Sequence, residues 1–145
     1  MCIRDRNYRK LRLNNEEDTR ALGLEIADAL EPGDIVALIG DLGTGKTALT
    51  KYIAEGLGIK EEISSPTFTI VKEYRSGRLP LYHFDVYRLG SGEELLDIGA
   101  EEMLDGDGAC VIEWADIVAD VLPADSLVVK LDYGEDEGSR AAELL

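Results

Sequence analysis

The chain has 145 residues, of which 45% are hydrophobic and 31% charged, so residues 1–145 fit a single globular domain. Its formal net charge of -15 argues against direct binding to nucleic acids or anionic membranes, because phosphate groups are bound by Lys and Arg. Its longest apolar run, Ile35–Ile39, is far shorter than the roughly 20 residues that span a bilayer, and we expect a soluble, cytoplasmic protein.

The negative charge is concentrated in the last third of the chain. Residues 1–90 contain 13 basic and 14 acidic side chains, whereas residues 91–145 contain 2 basic and 16 acidic ones. This asymmetry predicts an acidic surface that suits a basic protein partner. The two cysteines, Cys2 and Cys110, lie in unlike surroundings, which argues against a disulfide framework, and Cys110 is predicted to be a small buried side chain.

The N-terminal part predicts one edge strand and one helix. Residues Met1–Arg6 fit neither a strand nor a helix pattern and are interpreted as a disordered or foreign extension. A strand is predicted over Tyr8–Leu13, after which either Asn14 or Asn15 caps a helix with an acidic first turn. The apolar face of that helix consists of Leu22, Ile26 and Leu30.

The next segment predicts a buried strand followed by a second helix. A turn at Glu31–Asp34 ends the first helix. Ile35–Ile39 is continuously apolar, which is typical of a strand buried on both faces. A glycine-rich segment follows, and a helix is predicted over Lys46–Leu57 with Gly58 closing it.

The remaining elements complete an alternating α/β pattern. Thr67–Tyr74 and Leu79–Phe84 are spaced as a β-hairpin, and Glu93–Leu104 predicts one amphipathic helix. Further strands are predicted over Ala109–Ile112, Leu127–Leu131 and Arg140–Leu145, the last of them cut short by the chain end. Alternating strands and helices of this kind predict the α/β fold class.

The strongest chemical signal is the segment Gly40–Thr47, which reads GDLGTGKT and has the P-loop spacing of Gly, four residues and Gly-Lys-Thr. Its glycines allow backbone N–H groups to surround phosphates at a helix N-terminus. Lys46 is expected to reach the β- and γ-phosphates, and Thr47 to ligate Mg²⁺. The predicted ATP-binding residues of this loop are Asp41, Leu42, Gly43, Thr44, Gly45, Lys46 and Thr47.

A P-loop also needs an acid that completes the Mg²⁺ shell, normally at the end of a neighbouring strand. Two acids qualify, since Glu113 follows the strand Ala109–Ile112 and Asp85 follows Leu81–Phe84. Glu113 has the more continuous apolar strand before it, and we assign it the metal role, direct or through water. Asp85 is assigned the catalytic role of orienting water or supporting the metal shell. The alternative for either is a solvated carboxylate at a strand end.

Three further features have two interpretations each. Ser64–Phe68 is either a switch-like segment near the γ-phosphate or a turn into a strand. His83, the single histidine, is either a structural residue or a base. Trp114, the single tryptophan, is either a core residue or a ring near the nucleotide.

Four segments together resemble the TsaE family, also called YjeE. They are Gly40–Thr47, Ser65–Phe68, His83–Leu89 and Val111–Trp114, in that order, within a resemblance that covers about Leu11–Arg140. The likeness implies a P-loop NTPase-like three-layer sandwich, a mixed sheet with helices on both faces. It also implies a cytoplasmic ATPase that assists the TsaD and TsaB proteins, which attach threonylcarbamoyl to adenosine 37 of ANN-decoding tRNAs.

The same resemblance implies roles for individual residues. The magnesium-associated residues of the family correspond to Thr47 and Glu113, and an Asp that matters for ATP hydrolysis corresponds to Asp85. A Thr of the N-terminal helix and an Arg of the C-terminal hairpin, both expected to approach the nucleotide, correspond to Thr19 and Arg140. Met1–Arg6 has no counterpart in the family.

Two other functional classes compete with this interpretation. Small-molecule P-loop kinases are also short α/β proteins, but they need cationic side chains around the transferred phosphoryl group, and only Lys130 and Arg140 are basic beyond residue 90. The other class is a nucleotide-switched binding module with negligible turnover.

Overall fold

The computed structural model describes residues 9–41, 43–64, 66, 70–134 and 139–144. Its strands are β1 (Arg9–Leu13), β2 (Ile35–Ile39), β3 (Val71–Tyr74), β4 (Leu81–Asp85), β5 (Ala109–Glu113), β6 (Leu127–Tyr133) and β7 (Arg140–Leu144). Its helices are α1 (Glu16–Ala29), α2 (Lys46–Gly56), α3 (Gly92–Asp97) and α4 (Glu101–Leu104), and Ala115–Val121 forms a 3₁₀ helix.

All seven strands form one mixed sheet in the order β1-β7-β6-β2-β5-β4-β3. The central strands β6, β2, β5 and β4 are parallel, so their carboxyl ends lie along one edge of the sheet. The outer strands β3, β7 and β1 pair antiparallel with their neighbours. The predicted hairpin is the β3–β4 pair, in which Tyr74 lies opposite Leu81.

Helices cover both faces of the sheet, which makes the three layers predicted from the sequence. On one face, Ile26 of α1 and Leu49 of α2 belong to the same hydrophobic cluster as Val36 and Leu38 of β2. On the other face, Ile35 and Ala37 of β2 pack in a second cluster with Leu95 of α3 and Val118 of the 3₁₀ helix. Strand β2 is therefore apolar at successive positions because both of its faces are buried.

The helices α1 and α2 pack closely enough to require glycine at their contact. A Cβ atom at Gly23 of α1 would lie 2.5 Å from the Tyr52 Cβ atom, and one at Gly56 of α2 would lie 2.5 Å from the Ala27 Cβ atom. Real Cβ atoms do not approach so closely, so a larger residue at either position would push the two helices apart. This packing fixes α2, and with it the helix start at Lys46.

One predicted element is wrong. The sequence predicts a single helix over Glu93–Leu104, but the structure contains two short helices that are interrupted at Gly99, which has a φ of +85°. A left-handed glycine ends an α-helix, and this one rotates the second half of the segment away from the first. Leu96 and Ile98, two apolar residues of this segment, are 38% and 48% exposed.

Other boundaries shift by one to four residues. Strand β5 includes Glu113 itself, and β6 continues to Tyr133. Cys110 is fully buried within β5, as predicted. Met1–Arg6 and Cys2, together with Tyr8 and Leu145 at the ends of two predicted strands, lie outside the described residues. Within the described part of the chain, the helices are all too short or too polar to cross a membrane.

The structure selects Asn15, and not Asn14, as the cap of α1. The Asp18 backbone N–H donates to the Asn15 Oδ1 atom at 3.0 Å. Asn15→Ala is expected to lower the free energy of unfolding by about 1 kcal/mol, because the helix N-terminus loses an acceptor. Chemical denaturation measures this, with Asn14→Ala as the matched control. Equal losses in the two variants would contradict the assignment.

Candidate nucleotide-binding site

The P-loop connects the carboxyl end of β2 to the N-terminus of α2. Gly43 and Gly45 have φ values of +82° and +103°, a left-handed region that favours glycine. Gly40 packs against the end of β6, since a Cβ atom there would lie 2.5 Å from the Leu131 carbonyl oxygen. Gly45 is the N-cap of α2 and provides no side-chain cap, which leaves the helix N-terminus suited to an anion. Leu42 lies outside the described residues.

Lys46 is held inside the loop. Its side chain is buried, and its Nζ atom donates to the Gly40 carbonyl oxygen and, at 3.0 Å, to the Asp41 carbonyl oxygen. The same Nζ atom lies 3.8 Å from the centroid of the Trp114 ring, a cation–π distance. Burial lowers the pKa of Lys46, while Glu113 and Asp85 act in the opposite direction. The cation is therefore surrounded by carboxylates that favour its charged form.

Glu113 joins the P-loop helix to the neighbouring strand. The Thr47 hydroxyl donates to the Glu113 carboxylate, at 3.0 Å from Oε1 and 3.2 Å from Oε2. On its other side, the Glu113 Oε2 atom lies 2.5 Å from the His83 Nε2 atom of β4. His83 is completely buried, and within the described part of the chain its Nδ1 atom has no hydrogen-bond partner. The single histidine thus contacts the predicted metal ligand, a relation that its spacing in the sequence did not reveal.

Sheet register brings the two predicted acids together. Asp85 of β4 lies opposite Glu113 of β5 in the parallel ladder. The Asp85 Oδ1 atom accepts a hydrogen bond from the Tyr87 backbone N–H at 3.0 Å. Both acids line one cavity of about 260 Å³, whose other lining residues are Gly43, Gly45, Lys46, Thr47, Ala48 and Trp114. This cavity is the candidate nucleotide-binding site.

The structure places Trp114 at this cavity. The residue adopts a left-handed backbone conformation with a φ of +63°, directly after the last residue of β5. Its half-buried ring packs on the second hydrophobic cluster and lies 4.8 Å, centroid to centroid, from the exposed ring of Tyr87. Both sequence interpretations therefore describe part of its surroundings, because the ring borders the core and the cavity at once.

Four of the described residues that are predicted to contact the nucleotide do not line the cavity: Asp41 and Thr44 of the P-loop, and Thr19 and Arg140 outside it. Thr19 is in the first turns of α1, where its N–H donates to the Asn15 carbonyl oxygen. Arg140 begins β7, with its guanidinium carbon 5.4 Å from the centroid of the Tyr133 ring. The Tyr133 hydroxyl is in turn 3.2 Å from where a Cβ atom of Gly43 would lie. The roles of Thr19 and Arg140 stay predictions.

Tyr133 is a candidate residue that sequence reasoning missed. It ends β6, the strand that pairs with the P-loop strand on the side away from Glu113. Side chains at the carboxyl ends of strands next to a P-loop are natural candidates for ligand contact. The position of Tyr133 just after the predicted strand Leu127–Leu131 was the signal that would have identified it.

The interpretation of Ser64–Phe68 stays open. Ser65, Thr67 and Phe68 lie outside the described residues. The Ser64 hydroxyl accepts from the Lys72 Nζ atom at 2.6 Å. Pro66 lines a smaller cavity of about 180 Å³ together with Asp85 and Tyr87. Pro66 therefore lies near the acid that was assigned the catalytic role.

The oxygen donors at the site fit Mg²⁺. Among the described residues there is no group of three or more His, Cys, Asp and Glu side chains that would hold a metal ion by itself. Mg²⁺ in nucleotide sites is commonly held by one or two protein oxygens, with phosphate oxygens and water completing an octahedron. The Thr47 hydroxyl and the Glu113 carboxylate are hard oxygen donors of this kind, within 3.2 Å of each other.

The comparison with known proteins agrees with this geometry. The family model described as threonylcarbamoyl adenosine biosynthesis protein TsaE matches residues 13–142. The chain belongs to the TsaE family. The matched region contains every residue assigned to the site, from Thr19 to Arg140.

Relatives of this TsaE-family chain are similar over most of its length. A protein of Bacillus subtilis is 47% identical over 129 residues, which are 88% of this chain and 80% of the relative. A protein of Treponema pallidum is 50% identical over 115 residues, or 79% of this chain and 84% of the relative. Both are named tRNA threonylcarbamoyladenosine biosynthesis protein TsaE.

A solved structure has the same fold. The crystal structure of Bacillus subtilis YdiB superimposes with a TM-score of 0.82 at 40% identity, covering 95% of this chain and 84% of that one. The family resemblance and the α/β fold predicted from the sequence are thus confirmed. The roles of individual residues in this TsaE-family site stay predictions.

The first test of the site concerns Lys46. Lys46→Ala is expected to weaken ATP binding at least tenfold, about 1.4 kcal/mol, because it removes a charge-assisted contact to phosphate. Lys51→Ala is the matched control, since Lys51 is an exposed lysine of the same helix. Isothermal titration calorimetry measures both affinities. Unchanged affinity in Lys46→Ala, with the protein folded, would refute the assignment of this loop to phosphate.

Proposed function

We propose that this chain is a Mg²⁺-dependent ATPase that acts with the TsaB and TsaD proteins in the N6-threonylcarbamoylation of adenosine 37 in ANN-decoding tRNAs. Membership of the TsaE family supports the tRNA-modification pathway. The observation that carries the ATPase proposal is the contact of Thr47 with the nearly buried Glu113, beside Lys46 and a glycine-rich helix start. That combination supplies phosphate-binding and metal-binding groups in one cavity.

Each group has a distinct task in this proposal. The backbone N–H groups of the loop and the Lys46 ammonium bind phosphate oxygens. Mg²⁺, when bound with the nucleotide, neutralises phosphate charge, and Thr47 and Glu113 would hold it. Asp85 faces the same cavity and offers an acceptor that orients an attacking water. Hydrolysis then forms a bond between the water oxygen and the γ-phosphorus while the bond from that phosphorus to the β–γ bridging oxygen breaks, and it releases ADP, phosphate and the proton of the water.

The acidic surface separates this proposal from a small-molecule kinase. The segment between β4 and β5 carries α3 and α4, whose exposed acids are Glu93, Glu94, Asp97, Glu101 and Glu102. A kinase lid supplies cations to the transferred phosphoryl group, and acids there would repel it. We assign these five residues, called the acidic face below, to a basic surface of the TsaB–TsaD assembly.

The two acids of the cavity are expected to differ in function. Glu113→Ala should remove the Mg²⁺ dependence of nucleotide binding, because a metal ligand is lost. Asp85→Ala should bind Mg-ATP but hydrolyse it slowly. Calorimetry with and without Mg²⁺, and phosphate release with TsaB and TsaD present, measure the two properties.

An exposed acid outside the cavity serves as the control. Glu101→Ala on α4 should leave nucleotide binding and its Mg²⁺ dependence as in the unmodified protein. The reverse pattern in the cavity variants would exchange the roles of Glu113 and Asp85. Mg-ATP binding without measurable turnover, even with both partners, would instead support the nucleotide-switched binding module.

Charge predicts how the partners associate. Several cations of the chain are engaged in ion pairs, including Arg9 with Glu25, Lys10 with Glu143 and Arg20 with Glu55. Binding to TsaB–TsaD should weaken as ionic strength rises, and isolated tRNA should not bind. A pull-down over a salt series and a tRNA gel shift of the full chain measure this.

A charge reversal on the acidic face provides the matched variant for that experiment. Glu101→Lys combined with Glu102→Lys should weaken binding to TsaB–TsaD, whereas Lys51→Glu on α2 should have a smaller effect. Association that does not respond to salt would contradict the charge argument. So would micromolar tRNA binding by the isolated chain at physiological salt.

A further inference from the structure

His83 is a buried polar residue that makes one side-chain hydrogen bond with the described residues, where it has the capacity for two. Its relative exposure is 0%, its Nε2 atom lies 2.5 Å from the Glu113 Oε2 atom, and its Nδ1 atom has no partner among the residues that the structure describes. A carboxylate can only accept, so the Nε2 atom carries the hydrogen and donates it to Glu113. The Nδ1 atom is then a buried acceptor to which none of the described residues donates.

Stability alone does not account for a histidine at this position. A buried acceptor that loses its water without gaining a partner is destabilising. Two neighbouring positions on the same face of the sheet are apolar, Leu81 two residues earlier on β4 and Val111 opposite on β5, whereas Asp85 follows two residues later and Lys72 lies opposite on β3. An aliphatic side chain would pack against Leu81 and Val111 without an unsatisfied atom of its own. The contact with Glu113 is what an aliphatic residue would lose.

That contact restrains the Glu113 carboxylate from a second direction. Thr47 approaches it from the N-terminal turn of α2, and His83 approaches it from β4. A glutamate side chain has several rotatable bonds, and two donors on separate elements leave it one orientation. Carboxylates that ligate metals are commonly fixed in this way by partners outside the metal shell.

We propose that His83 is a positioning residue, which donates from its Nε2 atom to Glu113 and holds that carboxylate beside Thr47 in the orientation that receives Mg²⁺ with its nucleotide. The inference rests on the proposed function, because it concerns the metal site of the same cavity. In this role His83 is not a base, and it does more than the structural residue that was the other interpretation of the sequence.

The test compares variants that keep or remove the donor. His83→Leu removes it, and His83→Gln replaces it with an amide N–H of similar reach. Val111→Ala is the control for packing loss, since Val111 lies opposite His83 in the same layer. Calorimetric binding of a non-hydrolysable ATP analogue over a Mg²⁺ series measures the effect without requiring turnover.

In His83→Leu, the Mg²⁺ concentration for half-maximal binding should rise about 10- to 100-fold, while affinity without Mg²⁺ stays unchanged. His83→Gln should return it to within a few-fold of the unmodified protein, and Val111→Ala should not change it. An unshifted Mg²⁺ requirement in His83→Leu, or an equal shift in Val111→Ala, would overturn the proposal.

Two further measurements keep the outcome decisive. If His83→Leu does not fold, the comparison of His83→Gln with the shorter His83→Asn replaces it. Equal Mg²⁺ requirements in these two variants would refute the positioning role.

Crystal structures of the nucleotide-free variants show the orientation of the Glu113 carboxylate directly. The Glu113 carboxylate should lose its hydrogen bond with the Thr47 hydroxyl in His83→Leu and keep it in His83→Gln. A carboxylate that keeps this hydrogen bond in both variants would refute the proposal. If the unmodified protein binds no Mg-nucleotide, the proposed function fails, and these crystal structures still decide the role of His83.

Discussion

The hydrogen bond from Thr47 to Glu113 is the contact on which the site depends. It joins residues that are 66 positions apart in the sequence, one at the start of α2 and the other at the end of β5. The contact forms because β2 and β5 are parallel neighbours, so the loop that leaves β2 begins at the same sheet edge at which β5 ends. Packing of α1 on α2 through Gly23 and Gly56 fixes the helix that carries Thr47. Any change in this register would separate hydroxyl from carboxylate.

The cavity places opposite charges close together and partly buried from solvent. Lys46 is buried among Gly40, Asp41 and the Trp114 ring, and burial lowers its pKa. Such a cation is costly to hold without anions nearby, and Glu113 and Asp85 provide them. A phosphate group brings further negative charge to the same place. The arrangement therefore suits a ligand that carries both phosphate and a divalent cation, because each charge is then matched.

Beyond the cavity, the molecule is electrostatically one-sided. The layer formed by α3, α4 and the 3₁₀ helix contains exposed acids and no basic residue, since the chain has none between Arg88 and Lys130. The opposite layer, formed by α1 and α2, contains basic as well as acidic residues, and Arg20 of α1 forms an ion pair with Glu55 of α2. A polyanion is repelled by the first layer, whereas a basic protein surface is attracted to it. This division supports the proposal that the chain acts in its tRNA-modification pathway by contacting a basic protein surface and not tRNA.

Local patterns in the sequence were sufficient to predict most helices and strands and the groups of the candidate site. The apolar run Ile35–Ile39, the Gly-Lys-Thr spacing and the acids after two strands identified the fold class and the P-loop, because periodicity and glycine positions act over a few residues. The same patterns misplaced the helix Glu93–Leu104, since the apolar spacing continues across Gly99 and conceals the break. Tertiary structure alone decided that His83 contacts Glu113 and that Tyr133 approaches Gly43. Those contacts follow from strand order and register, which long-range packing sets and which leave no trace in local spacing.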